Sequence, residues 1–332
     1  MTLIAGRPAV GHAGDLWAVT AFFNPVGYKR KYANYRRFRD RLGVPLLAIE
    51  LGYGDGFELD DCDAEIVIRL RGRDVLWQKE RLLNLAVEAL PASCRKVAWL
   101  DCDLVFDDLD WPERTSLALD RFALVQPYSR AFRTPPGWTI GDPLPPEEAT
   151  WAAPTLIASC MSVAECLDVP ASHVGCSLGY AWAAQRDLVK RHGLYDVCIV
   201  GGGDAAMVRA AYGRSDALIE LLSMNAARAE HYRRWARRFH EDVAGAVGCV
   251  EGTLFHLWHG DTVNRRYRER QRELSEFGFD PHSDIAIDHE GAWRWNSNKP
   301  AMHASVRAYF VSRREDEAPA CREASVETAA TG

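Results

Sequence analysis

Nowhere in the 332 residues is there a run of about eighteen apolar residues, so the sequence offers no membrane-spanning helix. The opening stretch, MTLIAGRPAVGHAGD, lacks a basic segment followed by a continuous apolar one and does not read as a signal peptide. No C-x-x-C occurs either. The nine cysteines (62, 94, 102, 160, 166, 176, 198, 249 and 321) are odd in number, and Cys102 and Cys198 lie in apolar, strand-like runs. A disulfide framework would show neither feature, so a reducing, cytoplasmic setting is expected. The H-E-x-x-H pattern of zinc proteases is missing, as are a Walker loop and a dinucleotide G-x-G-x-x-G in its proper context. A formal charge of -6 gives no global reason to bind nucleic acid.

What remains is a chain long enough for a substantial core, 48% of it hydrophobic. The run LWAVTAFFN (16–24) reads as a strand stopped by Asn24-Pro25. Tyr28, Tyr32, Tyr35, Phe38 and Leu42 then recur at helical spacing, with Arg and Lys between them, until Gly43 and Pro45 end the helix. VPLLAIEL (44–51) and AEIVIRL (64–70) read as further strands, Leu76 to Leu90 as a second helix, and KVAWLDCDLVF (96–106) as a strand ending in acids. The order β-α-β-β-α-β predicts an α/β fold with a mostly parallel central sheet flanked by helices. In such sheets ligands bind beyond the carboxyl ends of the strands, where Asn24, Glu50 and Asp101 all fall. Residues 134–155 hold six of the sixteen prolines and no regular period, which predicts a long structured loop. The stretches from Arg228 to Glu241 and from Asn264 to Glu276 are Arg-rich and helix-prone, and an amphipathic helix explains their aromatics more cheaply than a nucleic-acid surface does.

Three segments can carry chemistry. In WLDCDLVF (99–106), strand alternation would place Asp101 and Asp103 on one face, where both could approach a hard divalent cation bridging a diphosphate. Their mutual repulsion is a penalty that such a cation removes. A solvated strand-to-loop turn also fits the pattern. In YDVCIVGGGDAAMVRAAYG (195–213) an apolar run enters Gly201-Gly202-Gly203 and then Asp204 at the start of a helix. The glycines would let the backbone pass close to a ligand, although Asp204 also suits a simple helix cap. In GTLFHLWHGD (252–261), His256 and His259 stand three apart and could complete a metal shell built from carboxylates. Arg265, Arg266 and Arg268 follow, able either to neutralise a leaving diphosphate or to serve as a solvated helix face.

The order of these motifs resembles that of GT-A glycosyltransferases, more particularly the galactosyltransferase and polypeptide N-acetylgalactosaminyltransferase-like group, over roughly residues 16–270. The resemblance implies a GT-A, Rossmann-like fold and a divalent metal, Mn2+ or Mg2+, held by Asp101, Asp103 and His259 or His256. It implies Asp204 as the base that takes the acceptor proton. Gln78, Lys79, Arg81 and Asn84 in WQKERLLN resemble the helix that faces the nucleotide. GYAWAAQRDLV (179–189) resembles the wall where sugar and acceptor meet, with Trp182 stacking there. Gly202, Gly203, Arg265, Asn24 and Glu50 complete the expected donor site. The donor would be a nucleotide-diphospho-sugar, a UDP-sugar by preference, and the acceptor a glycan, small molecule or peptide, with no nucleic acid involved.

One large domain is expected at 1–270, with a nucleotide half (1–106) and a donor-sugar and acceptor half (107–270). A helical extension (271–312) and a disordered tail (313–332) would follow it. The family acid is often a Glu followed by Asp or Asn, whereas Ala205 and Ala206 follow Asp204 here, so an inverting displacement competes with a retaining one. Rival readings are a metal-dependent sugar nucleotidyltransferase, which usually shows an early basic Gly-rich loop that this chain lacks, and a non-catalytic sugar-nucleotide or glycan-binding module.

Overall fold

The computed structural model describes residues 14–143, 152–159, 161–168 and 176–317. Its first half runs β1 (Leu16–Phe23), α1 (Lys29–Asp40), β2 (Leu46–Gly52), β3 (Ile66–Arg71), α2 (Lys79–Ala89) and β4 (Lys96–Leu100), the order expected. β1 pairs in parallel with β2 and β4, and β2 pairs in parallel with β3. Every residue of β2 is buried, as a continuous apolar run requires in a strand covered on both faces. Alternation divides the core in two. Val19, Leu47 and Ile49 pack on the α2 side with Leu82, Leu83 and Ala86. Leu16, Ala18, Phe22 and Leu46 pack on the other side with Tyr35 and Phe38 of α1.

The second half contributes β5 (Leu104–Phe106), α3 (Trp111–Ala118), β6 (Leu124–Gln126), β7 (Arg130–Arg133), β8 (Ala152–Pro154), α4 (Val163–Leu167), β9 (Ala181–Gln185) and α5 (Arg186–His192). Then come α6 (Gly203–Ala211), α7 (Ser215–Leu221), α8 (Ala226–Val243), β10 (Val247–Cys249), β11 (Thr253–His256), α9 (Glu269–Glu276), β12 (Ile285–Ile287), β13 (Trp293–Trp295) and α10 (Pro300–Ser312). The main sheet has seven strands in the order β10-β6-β9-β4-β1-β2-β3. Only β9 runs against its neighbours, so the mixed α/β fold has the mostly parallel sheet that was predicted. A smaller sheet, β5-β11-β7-β8, stands beside it. Among the described residues no helix is long and apolar enough to cross a membrane, and the seven described cysteines are unpaired.

Four local expectations are corrected. The strand read over 96–106 is broken: β4 stops at Leu100 and the chain turns through 101–103 before β5. Cys102 is buried at the apex of that turn, so the two acids beside it do not share a strand face. Tyr195 and residues 197–200 are buried and Asp196 half-buried, but they form no strand; this segment bonds instead to the loop before α2, with Trp77 N–H donating to Ile199 O at 2.9 Å. The Pro-rich segment is not wholly loop, since Ala152–Pro154 forms β8 against β7; residues 144–151 lie outside the described residues.

The fourth correction concerns the C-terminal end. The chain does not fray at 313. In α10 Met302, Val306, Tyr309 and Phe310 are buried, a helical stripe that docks on Trp77 and Phe23. Beyond it the backbone turns at Arg314 (φ 48°) and Arg313 and Glu315 are buried again. This strap, residues 313–317, passes so close to Gly260 that a Cβ there would lie 2.7 Å from Arg313 O. Residues 318–332 lie outside the described residues.

Gly260 also has φ +90°, so two penalties coincide in one position. Gly260→Ala is expected to cost about 1–3 kcal/mol, lowering Tm by about 2–6 °C. Limited trypsin digestion should cut faster after Arg313 and Arg314 in the variant. Unchanged melting and cleavage would show that the strap does not depend on this close approach.

Candidate functional site

Two clusters of charge diverge from the turn after β4. Asp101 N–H donates to Tyr180 O at 2.9 Å, which pins the turn to the residue before β9. From there the Asp101 carboxylate reaches Lys79 Nζ at 2.6 Å, and the same ammonium meets Asp204 at 2.9 Å. Lys79 is the first residue of α2 and Asp204 stands in the first turn of α6, so one buried ammonium joins three elements. Burial works against the charge on Lys79, but Asp101 and Asp204 outweigh it and hold the ammonium protonated. Burial raises the Asp204 carboxyl above its ordinary range, with Lys79 opposing and Asp101 adding to the rise.

The glycines before Asp204 have a local explanation. Gly201 and Gly202 take φ +86° and +111°, which any side chain would strain. Gly203 has no room for a Cβ, which would lie 2.1 Å from Glu80 Oε1. Gly202 faces Gln271 and Leu222, and Gly203 faces Glu80. The expected approach of a ligand to this backbone is therefore replaced by an approach of α2. Glu80 is buried there, and burial pushes its carboxyl up to about 8.

Asp103 turns the other way. The register of β11 on β5 sets His256 opposite Leu104, and Leu257 N–H donates to Asp103 O at 2.9 Å. Asp103 then lies 3.6 Å from His256 Nε2 and 3.3 Å from His259 Nε2, and the two Nε2 atoms are 2.9 Å apart. Asp103 Oδ1 is buried with no hydrogen-bond partner. One ligand atom from each of the three residues lies within 4.8 Å of the others. Two nitrogens about 2.1 Å from one ion and at right angles are about 3 Å apart, so the imidazoles are already spaced for a shared cation. Burial, with Arg265 close by, keeps both rings neutral, His259 down at about 3. Neutral imidazoles can ligate a metal. Burial and then Asp101 raise the Asp103 carboxyl, a penalty that a cation would reverse. The donor set fits a divalent ion.

Behind the histidines sits a basic cluster. Arg265 donates to His259 O at 2.7 Å, and the same nitrogen is 2.6 and 3.1 Å from the two ring nitrogens, so the guanidinium lies across the ring rather than in line with either lone pair. Glu315 is 3.4 Å from Arg265, accepts from Arg313 Nε at 2.6 Å, and is 3.7 Å from His259 Nδ1. Arg270 and Arg313 both donate to the Tyr309 hydroxyl. Glu315 and Arg313 were hidden inside the stretch read as tail. The helical stripe of α10 ends at Phe310, and nothing in the sequence beyond it signals their burial.

The remaining predicted residues are elsewhere occupied. Asn24 closes a turn, accepting from Tyr28 N–H at 2.9 Å and donating to Tyr28 O and Glu58. Glu50 accepts from the backbone of Glu58 at 2.6 Å and Leu59 at 3.1 Å, bracing the loop after β2. Gln78 pairs with both backbone groups of Trp293, Arg81 donates to Gly291 O, and Asn84 clamps both backbone groups of Leu194. Arg81 and Asn84 also reach Asp196, and of the four predicted residues Lys79 alone meets Asp101 and Asp204. Trp182 is 0% exposed in β9, opposite Trp99, with its indole N–H on Leu178 O; it has no face to offer a sugar.

No protein-family model matches the chain, and no curated protein does. Solved structures do. Glucosyl-3-phosphoglycerate synthase from Mycobacterium tuberculosis, in complex with phosphoglyceric acid, is 14% identical over 84% of this chain and 85% of its own, with a TM-score of 0.37. A mutant Drosophila β1,4-galactosyltransferase 7 with manganese, UDP-Gal and xylobiose is 10% identical over 87% and 98%, TM-score 0.38. The 4-diphosphocytidyl-2C-methyl-D-erythritol synthase from Anaerococcus prevotii is 11% identical over 73% and 90%, TM-score 0.31. Likenesses this distant carry no residue role to this chain.

Glu80 gives the cluster a pH signature. Its carboxyl rises from an ordinary 4.5 to about 8 on folding, so the native state keeps a proton that the unfolded chain releases. That contribution to stability is complete below about pH 4.5 and is lost as pH rises toward 8, at about 1.4 kcal/mol per unit of separation. Glu80→Gln carries the neutral shape at every pH. Its Tm relative to the wild type is expected to climb between about pH 5 and pH 8; a constant difference would contradict the buried-acid assignment.

Proposed function

We propose that the chain is a metal-dependent glycosyltransferase that moves a sugar from a nucleotide-diphospho-sugar to an acceptor hydroxyl, by direct displacement with inversion. The observation that carries the reading is the split of the two acids after β4: Asp103 with His256 and His259 on one side, Asp101 with Lys79 and Asp204 on the other. A binding module does not need a separate, partly exposed carboxylate beside a metal-type donor set. Asp103, His256 and His259 would hold the ion, and two imidazoles suit Mn2+ better than Mg2+, which prefers oxygen donors. A bound divalent ion supplies electrostatic stabilisation of the leaving diphosphate.

The other roles belong to the chain itself. Asp204 is 24% exposed at its side chain, so an acceptor hydroxyl can reach it. Its raised proton affinity makes it a stronger base than an ordinary carboxylate. Lys79 holds Asp204 and Asp101 in place through one shared ammonium and opposes the rise in the proton affinity of Asp204. As Asp204 takes the proton, the acceptor oxygen gains charge for attack on the sugar carbon. Arg265, beside His259, adds positive charge on the side where the diphosphate departs.

Asp204→Asn is expected to lower transfer by about 10²–10⁴-fold while donor binding stays intact, measured by thermal shift with UDP-, GDP-, dTDP- and CMP-sugars with and without Mn2+. Asp103→Ala and His256→Ala should abolish the Mn2+-dependent part of that shift. Transfer near wild type in Asp204→Asn would sink the base assignment. Donor binding that ignores both Mn2+ and Asp103 would favour a metal-free binding module.

A further inference from the structure

The three candidate metal-site residues come from the turn before β5, the end of β11 and the residues just after it, yet the carboxylate that stands by the outer nitrogen of His259, beyond the Arg265 guanidinium, comes from the strap after α10. Glu315, 2% exposed, sits 3.7 Å from His259 Nδ1, 3.4 Å from Arg265 and 2.6 Å from Arg313 Nε. Its place is fixed on both sides. Asp316 accepts from the backbone N–H groups of Lys29 at 2.9 Å and Arg30 at 2.8 Å, in the first turn of the twelve-residue α1, and Arg30 Nε donates to Glu315 O at 3.1 Å. Arg314 N–H donates to the Tyr28 hydroxyl at 3.1 Å, and Gly260, next to His259, leaves the gap through which the strap runs. The helix terminus, the tyrosine and the missing Cβ all serve to set one carboxylate behind one imidazole.

We infer that Glu315 is a positioning residue of the metal site, and that residues 313–317 are a built part of that site rather than an appendage. The inference rests on the metal reading of Asp103, His256 and His259 given above. Ligating histidines are oriented through the ring nitrogen that faces away from the ion, commonly by a carboxylate, and loss of such a partner typically costs 10–100-fold in metal affinity. Glu315 acts on His259 in two ways. Its carboxylate lies 3.7 Å from Nδ1, while Arg265 lies across the ring, and a carboxylate on that side favours the tautomer that leaves Nε2 free for the cation. It also balances Arg265, whose guanidinium lies against the same ring. A purely structural role, neutralising Arg265 and Arg313, would change melting temperature but not the affinity or geometry of a bound ion.

The test uses the full chain and Mn2+ alone, with free Mn2+ followed by its EPR signal, and Co2+ as a visible-absorption probe of ligand geometry. Wild type should bind Mn2+ and His259→Ala should not. Glu315→Gln, which keeps the shape, should weaken Mn2+ binding by about 10–100-fold and shift the Co2+ bands, while Glu315→Asp recovers part of the loss. Asp316→Ala unfastens the strap from α1 without touching the site and should weaken Mn2+ binding in the same direction, by less. Mn2+ affinity within about twofold of wild type and an unmoved Co2+ spectrum in Glu315→Gln and Asp316→Ala would overturn the inference and leave the metal reading standing. If Glu315→Gln does not fold, Asp316→Ala decides alone. No Mn2+ binding by the wild type would overturn the metal reading and the inference together.

Discussion

Lys79 places its ammonium where the end of β4, the start of α2 and the start of α6 meet, bonded to Asp101 and Asp204. Removing one partner from a buried ion pair typically costs about 3–5 kcal/mol, because the other charge is left stranded. Here the loss of Lys79 would strand two carboxylates at once, beside Glu80, which already stays neutral because burial forbids its charge. The packing follows from this contact. Gly203 must be a glycine because α2, held by Lys79, brings Glu80 against the start of α6. The left-handed turn through Gly201 and Gly202 is then the way the chain reaches that start, and Gln271 of α9 secures it by donating to Gly201 O at 2.7 Å.

The second cluster is tied to the first through a single buried residue. Cys102 points into the core, and its neighbours are therefore sent to opposite sides, Asp101 to an ammonium and Asp103 to two imidazoles. Two acids one residue apart would compete for a single cation if they lay on one strand face. Separated, they serve two purposes while still sensing each other, since Asp101 helps to raise the Asp103 carboxyl. The smaller sheet exists, in this sense, to carry His256: β11 lies between β5 and β7, and its end delivers His256 and then His259 to the same turn.

Much of the fold could be read from the sequence because its period was local. The β-α-β-β-α-β order, the long amphipathic α8 and the burial of β2 all follow from apolar spacing within one element. The site was legible to the extent that its residues sat in short motifs: Lys79, Asp101, Asp103, Asp204, His256, His259 and Arg265 do converge. Roles assigned by position alone fared worse. Asn24 and Glu50 lie at strand ends as expected, but each is consumed by the loop that follows it. Trp182 lies in a promising segment, but alternation turns it into the sheet core. Glu315 was illegible for the opposite reason. A polar, charged stretch after a last helix has no periodicity, and only the distant α1 terminus, Arg265 and Gly260 give it a place.

The charges of the two clusters are unequal in opposite senses. On the carboxylate side, Asp101 and Asp204 share the Lys79 ammonium, and Asp103, turned away from it, is offset chiefly by Lys31, so negative charge is in excess when all are ionised. On the strap side, Arg265 and Arg313 meet one carboxylate, Glu315, and Arg270 joins Arg313 on the Tyr309 hydroxyl, so positive charge is in excess. The clusters touch at His259, which both Asp103 and Arg265 contact, yet the fold does not let the acids pair with these arginines. Buried charge left unbalanced is costly, and it costs least when a mobile ion completes it. A divalent cation would offset the first excess, and the negative charge of a diphosphate the second. On the proposed reading the donor thus arrives at a site whose imbalance is the mirror of its own, metal to the acids and diphosphate to the arginines, with the imidazole of His259 as the boundary between them.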